Sequence, residues 1–517
     1  MIREDIHTHT AATFLTSTMT QVYQLGVSDI LIFVAGLWLV TKLVRRIVNR
    51  NAHGTKLNGP PSESFIFGVS QRIAKSTDGG ILYQEWAAQY GPVYQIPTAF
   101  RGSRTILCDP KAVNYFYSME RSVYIKSKLS RAVISNLFGR GLLWAEGESH
   151  KRQRKALTPA FSNAAIRRLT SVFYDSTYKL KTSWDATIEQ TTDGAIIDVE
   201  HWMNLVALDS IGIAGFSHDF RTLDGEYSRN RVFISLRRTM SVIADQLLEK
   251  TRREKRSHVT DETADRSVIG LLIKAEEDSA ELHMNETEIL AQMNVLLLAG
   301  YETTSISLTW ALIELAKQTD KQTKLREELL QFGASDPTWD QLSSSLPYLD
   351  AVVLEILRLH PPVGETTREA MVDDIVPLSE PITTASGESV NSIAVTKGTI
   401  VTVSIRCMNR SEVFWGPDAK QFRPERWLTL PGDPLRAKEI QGHRHLITFL
   451  DGPRTCLGKS FALAEFKAAL SVLVRNFTFE FPDGPETEIT THRGLVPRPK
   501  VVGQAGAQVP LRVGRVD

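Results

Sequence analysis

The chain has 517 residues, of which 42% are hydrophobic and 23% charged, and its formal net charge is +1. That balance excludes a disordered polyelectrolyte and gives no sign of nucleic-acid binding, and no composition break divides the chain, so one large domain with appendages is expected. The three cysteines, Cys108, Cys407 and Cys456, are odd in number and lack Cys-x-x-Cys spacing, which argues against a disulfide framework or structural zinc and fits a reducing compartment.

The first predicted element is an apolar run from Ile30 to Val40. Extended over 22–44 it reaches the roughly 20 residues a bilayer needs, with Asp29 and Lys42 near its ends, where snorkelling relieves the charge. Lys42, Arg45, Arg46 and Arg50 follow it, whereas Arg3, Glu4 and Asp5 nearly cancel before it. The positive-inside rule then predicts a luminal N-terminus over 1–21, one transmembrane helix over 22–44 and a cytosolic body. A cleaved signal peptide would carry its positive charge ahead of the run and an Ala-x-Ala site behind it, and a buried core helix is disfavoured by the polar stretch from Asn49 to Ser64. Residues 45–61 read as a linker ending at Gly59-Pro60-Pro61, whose prolines stop a membrane helix from continuing. The body occupies 62–517.

Within the body, Val93-Tyr94-Gln95-Ile96, Thr105-Ile106-Leu107 and Thr399 to Val403 predict strands. The rest is mainly helical. Asn285 followed by Glu288 resembles a capping box and opens a helix running to about Lys317, roughly 50 Å long at about 1.5 Å per residue. A further helix begins near Leu349, buries Val352, Val353, Ile356 and Leu359, and stops at Pro361-Pro362. Asn285, Asn409 and Asn476 open Asn-x-Ser/Thr triplets that a cytosolic body leaves unglycosylated. The fold class expected is α+β, mainly α with smaller β-sheets.

A lone cysteine is most often an inert buried hydrophobe. Cys456 differs in its setting: Gly452 and Pro453 build a tight loop before it, and an apolar helical pattern from Leu457 to about Val474 follows. A sulfur at a helix N-terminus is favoured as thiolate, the form a metal ligand requires. The segment from Phe449 to Gly458 resembles the haem-binding signature of the cytochrome P-450 family, with Phe449, Gly452, Arg454, Cys456 and Gly458 at its defining positions.

That resemblance implies a cytochrome P-450-like fold, haem b as cofactor, Cys456 as axial thiolate and metal ligand, Phe449 beside the sulfur and Arg454 on a haem propionate. Three further motifs extend it. Ala299-Gly300-Tyr301-Glu302-Thr303-Thr304 places a poor helix former mid-helix, and in the family this stretch covers the oxygen-binding face, with Glu302 and Thr303 as the acid–alcohol pair that delivers protons. Their ordinary readings are a solvated carboxylate and a hydroxyl bonded one turn back. Glu355, Arg358 and Arg426 match a structural Glu–Arg–Arg network. In His150-Lys151-Arg152-Gln153-Arg154, a basic run that is usually a solvated face, His150 and Arg154 match propionate contacts. His150 replaces the tryptophan often found there. Arg368 matches another propionate partner.

The implied activity is a monooxygenase acting on a lipophilic small molecule, with fungal microsomal members the nearest in pattern and a terpenoid as the first substrate class to consider. No Gly-x-Gly-x-x-Gly loop is present, so electrons from NADPH are expected through a separate flavoprotein reductase at the endoplasmic reticulum membrane. Substrate choice is expected before Trp144, around Phe220 to Gln246, before Gly300, at Val363 to Thr367 and at Thr491 to Val496. The alternatives are a peroxide-rearranging or isomerising haem-thiolate enzyme, disfavoured by the Glu302–Thr303 pair, and a non-catalytic haem sensor.

Overall fold

The computed structural model describes residues 54–76, 78–224, 268–276, 282–333, 335–428 and 436–516, with isolated positions between 32 and 42 and between 246 and 253. The chain forms two compact units, Met1–Gly54 and Thr55–Asp517. In the first, Ile32, residues 34–38 and Lys42 are helical and exposed, with Lys42 Nζ 4.2 Å from the Trp38 ring centroid. The anchor expected over 22–44 otherwise lies outside the described residues, as does most of the segment from Phe220 to Gln246.

The second unit is rich in helices with small sheets, as expected. Its site is positioned by helices α1 (Gly147–Leu157), α2 (Asn163–Ile188), α3 (Val199–Phe216), α4 (Glu286–Lys317), α5 (Pro347–Leu359) and α6 (Lys459–Asn476). The capping box predicted for α4 closes: Asn285 Oδ1 accepts from Glu288 N at 2.9 Å, and Glu288 Oε2 accepts from Asn285 N at 3.3 Å. Among the described residues α4 alone is long and apolar enough to cross a membrane, but 72% of its apolar window is buried within the protein. It is therefore the core helix. Mid-helix Gly300 has a steric reason, because a Cβ there would stand 2.5 Å from Ile211 Cγ1 on α3. The helix predicted near Leu349 is α5, and Pro347 at its start suits a first-turn position whose N–H has no partner.

The strands are β1 (Val93–Pro97), β2 (Ser103–Leu107), β3 (Tyr124–Ile125), β4 (Ala195–Asp198), β5 (Glu365–Ala370), β6 (Asp374–Thr383), β7 (Ser389–Val395), β8 (Ile400–Ser404), β9 (Phe477–Glu480), β10 (Ile489–His492), β11 (Arg498–Val501) and β12 (Pro510–Arg515). The largest sheet has the order β1-β2-β8-β5-β3, and the order β4-β12-β9 forms a second. β6 pairs with β7, and β10 with β11. Two registers matter for the site. Tyr124 opposes Ala370, which brings the segment after β3 beside Arg368 on β5, and His492 opposes Arg498, which puts Arg498 at the closed end of the β10–β11 hairpin.

Candidate active site

The loop before α6 is folded by backbone constraints at the glycine and by local hydrogen bonds. Gly452 has φ +66, and a Cβ there would stand 2.5 Å from Tyr117 O, so only glycine fits. Cys456 N donates to Phe449 O at 2.8 Å, closing the loop. Phe449 is buried and meets His443 edge to face at 6.1 Å between centroids. α6 begins at Lys459, two residues later than the apolar pattern suggested, with Gly458 as its N-cap.

Cys456 is the exposed cysteine; Cys108 and Cys407 are buried and face one another. Protein packed around the Cys456 sulfur pushes its thiol pKa above the ordinary value, opposed by the Gly458 backbone N–H, Arg154 and Lys459. The helix N-terminus therefore helps the thiolate without securing it. Because the residue is exposed, the burial effect is the less telling of the two, and a coordinated cation removes a thiol proton outright.

Around this loop the fold gathers the predicted basic residues. His150 and Arg154 project from α1, Arg368 from β5 and Arg454 from the loop itself. Arg454 Nη2 donates to Ala145 O at 3.0 Å and pairs with Glu146. Arg368 Nη2 lies 2.7 Å from Glu120 Oε1. Burial, followed by Arg454, Lys126, Arg154 and Arg121, pushes His150 down to about 3, so its imidazole is neutral at physiological pH. The local sequence gave no hint of Lys126, which lies just after β3. Its Nζ is 3.2 Å from Glu146 Oε1, and burial with Arg454 beside it pushes its pKa down to about 7.

These residues suit a dianionic macrocycle. Lys126, Arg154, Arg368 and Arg454 outnumber Glu120 and Glu146, an excess of positive charge that two propionates neutralise. The Nε atoms of Arg368 and Arg454 are buried and donate to no acceptor among the described residues. Such orphaned donors are costly unless a ligand satisfies them. A thiol donor beside a cation cluster with unmet hydrogen bonds fits haem.

On α4 the acid and the alcohol are directed apart. Thr303 is partly exposed, and its Oγ1 donates to Ala299 O at 2.7 Å, the one-turn-back bond of its ordinary reading. Glu302 is buried, contrary to the solvated reading, and its Oε1 accepts from Arg498 Nη2 at 3.1 Å. Consecutive helical positions point about 100° apart, so the pair does not converge. Glu465 on α6 is a further carboxyl that motif reading did not single out. It is fully buried, and desolvation pushes it up to about 8, with the hydroxyls of Thr304 and Ser210 facing it without well-formed hydrogen bonds.

The Glu–Arg–Arg network forms as expected. Glu355 accepts from Arg358 Nε at 2.8 Å, from Arg426 Nε at 2.9 Å and from Trp427 Nε1 at 3.0 Å, while Arg358 also donates to Asn409 O and Ala419 O. All carboxylate oxygens are met, and its role is architectural. A cleft of about 1060 Å³ lined by Asp78, Gln84, Trp310, His360 and Arg406 contains none of the predicted catalytic or cofactor residues, and Thr491 from a predicted substrate-choice segment also lines it. Asp78 pairs there with Arg406 and Arg410, and His360 with Glu314.

Comparison with known proteins agrees with this geometry. The family model described as Cytochrome P-450 matches residues 59–240 and 227–503. The chain is 57% identical to Cytochrome P-450 monooxygenase claP of Ampulloclitocybe clavipes, over 96% of this chain and 100% of that protein. It is 56% identical to claQ of the same fungus, with the same coverage. Cytochrome P-450 monooxygenase 128 of Postia placenta is 34% identical over 88% of this chain and 92% of its own length.

Proposed function

The chain belongs to the cytochrome P-450 family of haem-thiolate monooxygenases, and on that premise we propose that it inserts one oxygen atom from dioxygen into a lipophilic small molecule of secondary metabolism, with terpenoids the first class to test. The observation that carries the reading is Cys456, backed by the Gly458 N–H and facing a cation cluster with orphaned donors. When bound, haem with a cysteine thiolate supplies the oxygen-activating chemistry. The rest falls to this chain's residues. Cys456 would ligate the iron, on a loop that the Gly452 turn fixes and that Phe449 and Gly458 complete. Arg154, Arg368, Arg454 and Lys126, with neutral His150 as a further donor, would hold the propionates and so orient the ring. Thr303 Oγ1, whose proton rests on Ala299 O, would turn from that bond to give it up, and Glu302, whose side chain does not converge on Thr303, would resupply it through water. Electrons come from NADPH through a flavoprotein reductase at the endoplasmic reticulum membrane, where the run over 22–44 anchors a cytosolic body.

With the reductase, NADPH and isotopically labelled dioxygen, the product should carry one labelled oxygen. Turnover without NADPH would instead favour a rearranging enzyme, and ligand binding with no product a sensor. Cys456→Ala should abolish the thiolate-type spectrum of the reduced carbonyl complex, while Cys108→Ser and Cys407→Ser keep it. Its survival in folded Cys456→Ala protein would remove the ligand assignment.

A further inference from the structure

Glu302 shares its counter-ion with a second carboxylate. Arg498 donates from Nη2 to Glu302 Oε1 at 3.1 Å, and from Nη1 to Glu200 Oε1 at 2.6 Å and Asn204 Oδ1 at 2.8 Å. Glu200 is near the start of α3, Glu302 on α4 and Arg498 on β11, and all three are buried. Ser305 Oγ donates to Asn204 Oδ1 at 2.9 Å and ties α4 to the same cluster. Among the described residues, Tyr301 on α4 and Asp198 ahead of α3, whose Oδ1 accepts from Val509 N at 3.0 Å, also face it. Glu302 Oε2 is buried and accepts no hydrogen bond among the described residues.

Fully ionised, two carboxylates on one guanidinium leave a net negative charge out of water, which costs more than taking up a proton at neutral pH. Carboxylates that share a site keep one proton between them. A glutamate with a guanidinium to itself would be ionised far below neutrality and have no proton to give, whereas a delivering acid works best near ambient pH. We propose that Glu200 and Glu302 share one proton across Arg498, so that Glu200, acting through the positioning residue Arg498, tunes Glu302 to donate from its unpartnered Oε2. This rests on the proposed function, in which Glu302 resupplies Thr303. Burial raises the Glu200 carboxyl, the direction that sharing requires. The step is a proton transfer alone: the proton passes from Oε2 through water to the Thr303 hydroxyl that has given up its own, Arg498 holds the carboxylate left behind, and a proton from water restores the acid.

The haem-loaded full chain tests this with two readouts. In infrared difference spectra of the resting protein at neutral pH, Glu200→Gln and Glu302→Gln should each lose one protonated-carboxyl band of the parent, while the Glu465 contribution cancels. Product formed per NADPH, followed against pH, should shift its midpoint by about one unit or more toward acid in Glu200→Gln, where Arg498 belongs to Glu302 alone. It should shift toward alkali in Arg498→Gln and stay near the parent in Arg498→Lys. If Arg498→Gln does not fold, Glu200→Gln and Arg498→Lys carry the test. No band lost in either glutamine variant overturns the shared proton; a lost band with an unmoved Glu200→Gln midpoint overturns the tuning of Glu302. Thr303→Ala should lower product per NADPH and leave the band, and a parental ratio there would sink the proton path of the proposed function while the band still decides the shared proton.

Discussion

Glu465 ties one side chain to the pH dependence of the whole protein. Its carboxyl has an ordinary value of 4.5 and is pushed up to about 8 by burial on α6. Between those values the folded chain keeps a proton that the unfolded chain has lost. Stability contributed by this group is thus complete below about pH 4.5, falls as pH rises, and is gone above about pH 8. Glu465→Gln should therefore unfold a few degrees above the parent at pH 8 and close to it at pH 5, a difference of at most roughly 2–4 kcal/mol. Thermal unfolding at both pH values checks it, and parallel shifts at the two would show that the carboxyl is solvated. Cys456 was legible in the sequence because Gly452, Pro453 and the following helix are its chain neighbours. Lys126 and Glu146 were not, since nothing beside either marks a residue that faces Arg454.

At the scale of elements, the crossing of α3 and α4 is set by a glycine. Alanine at 300 would gain about 1 kcal/mol of helix propensity. Its Cβ would stand 2.5 Å from Ile211 Cγ1 and 3.1 Å from Ile211 Cβ, atoms near the backbone that cannot swing away. Overpacking of this kind costs about 1–3 kcal/mol, so the clash outweighs the propensity. Gly300→Ala should lower stability by up to about 2 kcal/mol in denaturant unfolding, and it should cost less in an Ile211→Ala background than in the parent. A neutral or stabilising Gly300→Ala would mean that the helices are not this close. Helix limits were legible to within about two residues, because the capping box at Asn285 and the prolines after α5 act locally. The propensity penalty at Gly300 was equally legible. Its cause was not, because Ile211 is distant in the chain and only helix packing brings it near.

At the scale of the whole molecule, the proposed anchor and the cytosolic body make one prediction. Protease added to intact microsomes should digest the catalytic body, and deletion of residues 1–44 should release it from the membrane fraction; protection from protease would reverse the topology. All three Asn-x-Ser/Thr asparagines have structural duties, Asn476 through Nδ2 donating to Val472 O at 2.7 Å. Asn285 caps α4 through its side chain, and Asn409 is fully buried with Nδ2 donating to Thr448 Oγ1 at 2.8 Å.

The sequence by itself determined the loop that carries Cys456, the long core helix with its cap, the Glu355-Arg358 pair and the apolar N-terminal run. Each is written in residues a few positions apart, where turn chemistry, capping and periodicity act without the rest of the chain. Tertiary structure decided which charges meet. Arg498 reaches both Glu200 and Glu302 because the β10–β11 hairpin closes against α3 and α4, and Lys126 joins the cluster around Arg454 because β3 pairs with β5. Buried ion pairs depend on topology and desolvation, and neither is expressed in local spacing.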